Sequence, residues 1–230
     1  MKILLVGIEY VGTTTIANLL AQWKTELTGE AFYMGLIHDH SKLPHTSGHP
    51  DDTTLEEQQQ ILNLSPKLKE MYHRYGIYYH LHHYVHDDDL SIGLHIEESI
   101  YARHYYQYGL EGDRFDREST FDQMEKRIKQ ITDDPIILVH LTAEPEVIKS
   151  RMVQLKDSPE HSNSPLREED IEAIMSDYQR LVDRSTIGPV IKLDTSTDTP
   201  EQTLGRLVPL LEPHFTASDK HKIDEYKSSV

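Results

Sequence analysis

The chain opens on a short apolar run, Lys2-Ile3-Leu4-Leu5-Val6, that leads straight into Gly7-Ile8-Glu9-Tyr10-Val11-Gly12-Thr13-Thr14-Thr15. No other feature limits its folding as strongly. The run suits a strand covered on both faces. The two glycines permit a tight turn. From about Thr14 to Leu27 the pattern is helical, with Gly29 just past the end as a stop signal. A strand that turns through such a loop into a helix aims backbone N–H groups and the positive helix end at one spot, which makes an anion site. The spacing is that of G-x-x-x-x-G-[K]-[ST], the loop that cradles nucleotide phosphates, with Thr13 in the lysine position. Gly7, Tyr10, Val11, Gly12, Thr13, Thr14 and Thr15 are the candidate phosphate contacts. Thr14 is placed to ligate Mg²⁺ through its hydroxyl. A replacement for the missing charge would come from Lys42, Arg103, Arg151 or Arg167.

Four more β-leaning runs follow: Phe32–His38, Ser91–Glu97, Pro135–Thr142 and Val190–Asp194. Helical patterns separate them, over Leu55–Leu62, Pro66–Tyr84, Ser99–Tyr108, Thr120–Ile131, Glu144–Leu155, Arg167–Val182 and Pro200–Leu211. Alternation on this scale predicts an α/β fold with a parallel sheet and right-handed crossovers. The reading is of one domain over residues 1–215, with a helical insertion at about 40–90, a lid at about 152–168 and a polar, frayed tail over 216–230.

Composition narrows the function. The formal charge is −16, from 23 Lys and Arg against 39 Asp and Glu, which excludes the broad basic face of a general nucleic-acid binder. The absence of cysteine excludes disulfides and thiolate metal sites. No apolar run reaches about 18 residues, so no membrane span is expected, and the first apolar run is too short for a signal peptide; a cytoplasmic location is expected.

Three stretches together resemble the P-loop nucleoside and nucleotide kinases, closest to the thymidylate kinase and deoxynucleoside kinase group. They are the loop above, Ile96-Glu97-Glu98-Ser99-Ile100-Tyr101-Ala102-Arg103-His104-Tyr105-Tyr106-Gln107-Tyr108-Gly109, and Val139-His140-Leu141-Thr142-Ala143-Glu144-Pro145-Glu146-Val147-Ile148-Lys149-Ser150-Arg151-Met152. The stretch from Ile96 resembles the acid at the end of strand three and the helix after it. The stretch from Val139 is similar to strand four and the helix leading to the lid. The resemblance implies a three-layer P-loop NTPase fold, a five-stranded sheet of order 2-3-1-4-5, ATP with Mg²⁺, and a phosphate acceptor bound between loop and insertion. The sequence departs from the pattern at Thr13, at Glu98 or Ser99 where an arginine is expected, and at Asp39-His40-Ser41-Lys42 after strand two.

On this reading Glu97 and Glu98 end strand three at the rim where open α/β sheets bind ligands; one of them would hold Mg²⁺ or act as general base. A helix-start acid is the plainer alternative. Glu97 is taken as metal ligand with Thr14, and Glu97, Glu98, Arg103 and Arg151 as catalytic groups, the arginines for bidentate charge on a transferred phosphate. Arg167 borders the lid and joins the nucleotide contacts. Asp39, His40, Lys42, Tyr72, Tyr75 and Tyr79 are the candidate acceptor contacts, the tyrosines equally well explained by packing. His82 and His86, four apart on an expected helix, with Asp87 or Asp89, form a weaker candidate metal site. Three functions are compatible with these features: a phosphotransferase from ATP to a nucleoside, nucleotide or similar acceptor, alone or as a homodimer; a non-catalytic nucleotide-binding or regulatory protein; and a metal-dependent enzyme using the His-rich insertion.

Overall fold

Ile3, Leu4, Leu5 and Val6 are wholly buried, as an apolar strand with helices on both faces requires. The computed structural model describes residues 1–33, 38–39, 54–155, 158, 161 and 164–229. Around β1 (Lys2–Val6) it builds a parallel sheet in the order β2-β3-β1-β4-β5. Three further strands carry most of it: β3 (Asp89–Ile92), β4 (Ile136–Thr142) and β5 (Val190–Asp194). At the edge, the described part of β2 is His38–Asp39; of the run expected over 32–38, residues 34–37 lie outside the described residues.

Two helical layers cover the sheet. One holds α1 (Thr13–Thr28), α8 (Pro200–Leu211) and α9 (Ala217–Ser229), with α1 touching both others. The other holds α4 (Leu94–Tyr101), α5 (Arg117–Ile131) and α7 (Ile171–Arg184), with α3 (Pro66–Leu81) packed on α4. The short α2 (Leu55–Leu62) precedes α3, and α6 (Pro145–Leu155) follows β4. Local signals set several ends. Thr54 with Glu57 and Thr199 with Gln202 form capping boxes at α2 and α8, and Gly29 closes α1 in the left-handed region at φ 73°.

Three expectations are corrected. The third strand ends at Ile92, not Glu97: Gly93 (φ 75°) and Leu94 (φ 43°) turn the chain directly into α4. The helix expected over 66–84 stops at Leu81 and passes into a tighter 3₁₀ turn, His82–Val85, so His82 and His86 do not share a helical face. The polar tail is the helix α9. It has little apolar surface to bury, and ions hold it instead. The Met1 ammonium bridges Asp88 and Asp219, and Lys222 Nζ donates to Asp88 at 2.8 Å. The Tyr226 ring packs so closely on Gly29 that a Cβ there would come within 2.6 Å of it. Burial would raise the Asp88 carboxyl, but the ammonium, Lys222 and Lys24 together outweigh that and hold it at about 2.

His140, in the middle of β4, is 3% exposed and lies near the Tyr178 ring. Burial, with Lys192 adding to it against Asp183, pushes its pKa down to about 4. The unfolded imidazole takes its proton near 6.5, so between these values the unfolded chain binds more protons and stability falls as pH falls. Urea titrations at pH 7 and pH 4 should differ by about 3 kcal/mol from this residue, and His140→Phe should remove that part of the slope. An unchanged slope would show that His140 is not buried in its neutral form.

Candidate functional site

The loop leaves β1 at the carboxyl edge of the sheet, where crossing helices leave room for a ligand. Gly7 passes so near β4 that a Cβ there would lie 2.6 Å from the Leu141 carbonyl oxygen and 2.8 Å from Val11 Cγ1. Glycine is required here by close approach. Val11 N–H closes a turn on the Ile8 carbonyl at 3.1 Å, Tyr10 sits at φ 67°, and Gly12, at φ 102°, starts α1 with no side-chain cap. A non-glycine residue held in the left-handed region costs about 1–3 kcal/mol, so surrounding contacts must impose it. One is the His161 ring, stacked on Tyr10 at 4.2 Å between centroids. Thr13 is buried at the first helical position, and Thr14 and Thr15 are exposed on the first turn.

Behind the loop lies a knot of hydrogen bonds. Arg151, on α6, donates through Nη1 to the carbonyls of Tyr10 (3.3 Å) and Val11 (3.2 Å) and to Thr195 Oγ1 (3.2 Å), and through Nη2 to the Thr195 carbonyl at 2.7 Å. Thr195, just past β5, contacts the Val11 carbonyl (3.3 Å) and the Thr142 carbonyl (3.1 Å) through its hydroxyl. Loop, β4, β5 and α6 are thereby tied at one point. Burial lowers the Arg151 pKa, with Asp194 opposing; an arginine remains charged regardless.

The other expected catalytic groups lie on other elements. Glu97 and Glu98 lie in α4 and are 0% and 1% exposed. Glu98 is held by Arg117, whose Nε reaches both carboxylate oxygens at 2.9 Å and whose Nη2 lies 2.8 Å from Oε1. Burial lowers the Arg117 pKa less than Glu98, Tyr108 and Glu70 raise it, and the net shift is upward. Glu97 lies within electrostatic reach of Tyr101; burial first, then Glu9, Tyr178 and Glu97, push that phenol well above its ordinary value. Directly after β3 stand Gly93 and Leu94, which offer neither acid nor cation. Arg103 belongs to an exposed network: it donates to Glu118 Oε2 at 3.3 Å, while Arg180 and Arg184 each donate to Glu118 Oε1 at 2.7 Å. Arg167 is paired with Asp170 at 2.7 Å and lies over the Tyr105 ring.

Of the acceptor contacts, Asp39 falls on β2, and His40 and Lys42 lie outside the described residues. Tyr72 is half-buried against the core, whereas Tyr75 and Tyr79 are exposed and stack on each other at 6.3 Å. Among the described residues no group of three or more His, Asp or Glu could hold a metal ion. Asp89, one candidate there, is buried on β3 beside Ser91 and His80. Among the described residues no helix is long and apolar enough to cross a membrane.

Sequence reasoning missed Glu9 and Thr195. Glu9 is 4% exposed within the loop itself, its Oε2 4.0 Å from His161 Nδ1. The signal was present: an acid in the middle of an anion-type loop asks for an explanation. Thr195 gave no such signal, because its part depends on contacts distant in sequence. Against ATP and Mg²⁺ the fit is partial. The close-packed Gly7 turn and the open start of α1 suit a phosphate, and Thr14 suits a metal ligand. The expected metal carboxylate, Glu97, lies in the first turn of α4 and is fully buried.

Gly7→Ala should cost about 1–3 kcal/mol of stability, because β4 backbone cannot yield as a flexible side chain does. It should also abolish binding of phosphate-bearing ligands. Calorimetry showing unchanged stability would mean that the loop does not pack on Leu141.

No protein-family model and no curated protein sequence matches the chain. Solved structures do. The chain is similar to the YorR protein from Bacillus subtilis in complex with phosphorylated GDP, at 17% identity and a TM-score of 0.58 over 94% of this chain and 99% of that one. It is also similar to deoxyadenosine kinase from M. mycoides with bound dATP, at 16% identity and a TM-score of 0.59 over 92% of this chain and 100% of that one. The same kinase with dCMP and dCDP matches at 14% identity and a TM-score of 0.55, over 93% of this chain and 99% of that one. The chain therefore has the fold of the P-loop nucleoside and nucleotide kinases.

Proposed function

We propose that this chain binds a nucleotide through the phosphate loop and has lost most or all capacity for phosphoryl transfer. The observation that carries the reading is a loop that keeps its shape but has threonine, not lysine, at position 13. The loop keeps its glycine-dependent shape and its position at the start of α1. Among the described residues, three groups expected to serve a transferring phosphate are engaged elsewhere. Thr13 stands where the loop pattern has lysine. Glu98 is held by Arg117, Arg103 by Glu118, and Arg167 by Asp170. Glu9 adds a carboxylate to the loop, not a cation. Phosphoryl transfer relies almost wholly on positioning and electrostatic stabilisation, so losing these groups removes the catalytic power while amide contacts to a phosphate survive.

The competing reading is a kinase acting with Mg-ATP on a nucleoside or nucleotide. The overall likeness to a deoxyadenosine kinase and the exposed Thr14 favour it. In that case Thr14 would ligate the metal and Asp39 would face the acceptor.

Titration calorimetry with ATP, dATP, GDP and dCTP, paired with turnover assays over nucleosides and nucleoside monophosphates, separates the two. Binding with turnover at least about 10⁴-fold below an ordinary kinase value of about 1–100 s⁻¹ is expected. Turnover within that range would establish the kinase, and no binding by any nucleotide would remove both. Thr13→Lys should raise nucleotide affinity about tenfold by restoring charge at the loop mouth.

A further inference from the structure

We infer that Arg151 takes over the charge role of the missing loop lysine, acting from behind the loop instead of in front of it. The inference rests on the nucleotide-binding reading and names the group that makes it workable. The Arg151 guanidinium donates to the Tyr10 and Val11 carbonyls and to Thr195. A peptide unit is a dipole with its N–H opposite its C=O. A cation on the carbonyl side of two consecutive loop peptides therefore has two effects. It fixes those carbonyls toward itself; Val11 N–H, opposite the Tyr10 carbonyl, is committed to the Ile8 carbonyl, and Gly12 N–H, opposite the Val11 carbonyl, is turned the other way. It also places a full positive charge about one peptide width from the anion that Gly12 N–H would meet.

The setting keeps that charge effective. Arg151 is partly buried, so water screens it weakly. Thr195 holds the Nη2 edge through its carbonyl at 2.7 Å and the Val11 carbonyl through its hydroxyl. The β5–α8 connection is tied in turn to the start of α6, where Glu144 N–H donates to Ser196 Oγ at 2.8 Å. Arg151 is thus a positioning residue with an electrostatic share. A lysine at position 13 would sit on the ligand side; here the same charge is built into the scaffold.

The test uses inorganic tripolyphosphate, which has phosphates and no base, titrated into the full chain at low and high salt. Wild type should bind, more weakly at high salt. Arg151→Met should bind at least about tenfold more weakly at both salt concentrations, while Arg151→Lys stays within about threefold of wild type. Arg151→Gln, which keeps a hydrogen-bond donor without charge, should resemble Arg151→Met; it also serves if the methionine variant does not fold. The discriminating variant is Thr13→Lys combined with Arg151→Gln. If the role is charge, a cation on the ligand side restores binding to within about threefold of wild type. Wild-type-like affinity in Arg151→Gln, or no recovery in the folded double variant, overturns the inference while leaving nucleotide binding intact. Failure of wild type to bind tripolyphosphate or any nucleotide overturns the underlying reading and this inference with it.

Discussion

The complete burial of β1 between β3 and β4 is the constraint on which the rest depends. A parallel strand with both faces covered has no solvated side, so its polar business happens at its end. Here the end is Gly7, which must slip past the Leu141 carbonyl with no side chain of its own. That passage sets where the loop turns and where α1 begins. It also sets which groups of β4 and β5 can reach the loop. Thr195 and Arg151 converge on it by way of β4, which pairs with β1 on one side and β5 on the other and leads into α6, not because they are near it in sequence.

Another set of buried polar contacts holds the helical layers together. Glu125, 1% exposed, accepts from Ser185 Oγ at 2.5 Å and from Thr186 N–H at 2.6 Å, and lies 3.3 Å from His95 Nε2. Burial would raise its pKa, but His95, Ser185 and Thr186 outweigh that and hold it below the usual carboxylate range. This network joins the first turn of α4 to α5 and to the end of α7. Glu98 with Arg117 does the same between α4 and the start of α5. Glu98, which resembles a catalytic group by position, is therefore a buried part of the architecture. Removing one partner of such a pair leaves an uncompensated charge, the costly way to lose an ion pair.

Much of the fold was legible because it rests on local patterns. The loop, the continuous apolar runs of β1 and β4, and the capping residues of α2 and α8 all announce themselves within a few residues. The third strand misled because Ser91–Glu97 alternates like a strand, whereas Gly93 and Leu94 turn the backbone after Ile92. Nothing in a pattern of apolar spacing reports a left-handed leucine. The helix α9 was missed for a related reason: its anchor is an ion cluster with Asp88, far away in sequence, not an apolar stripe. The same limit applied to the site. Residue types suggested arginines for phosphate, but only the three-dimensional arrangement assigns Arg103 to Glu118 and Arg151 to the loop carbonyls.

The Arg151–Thr195 knot bears on how the loop behaves before any ligand arrives. Glycine-rich loops ordinarily surrender conformational freedom when they close on an anion, and that loss subtracts from affinity. Here two loop carbonyls are already pinned to β5 and α6, and Gly7 is already wedged against β4. Little disorder is left to give up on binding. A loop made rigid in advance can hold an anion with weaker electrostatics than a loose one would need.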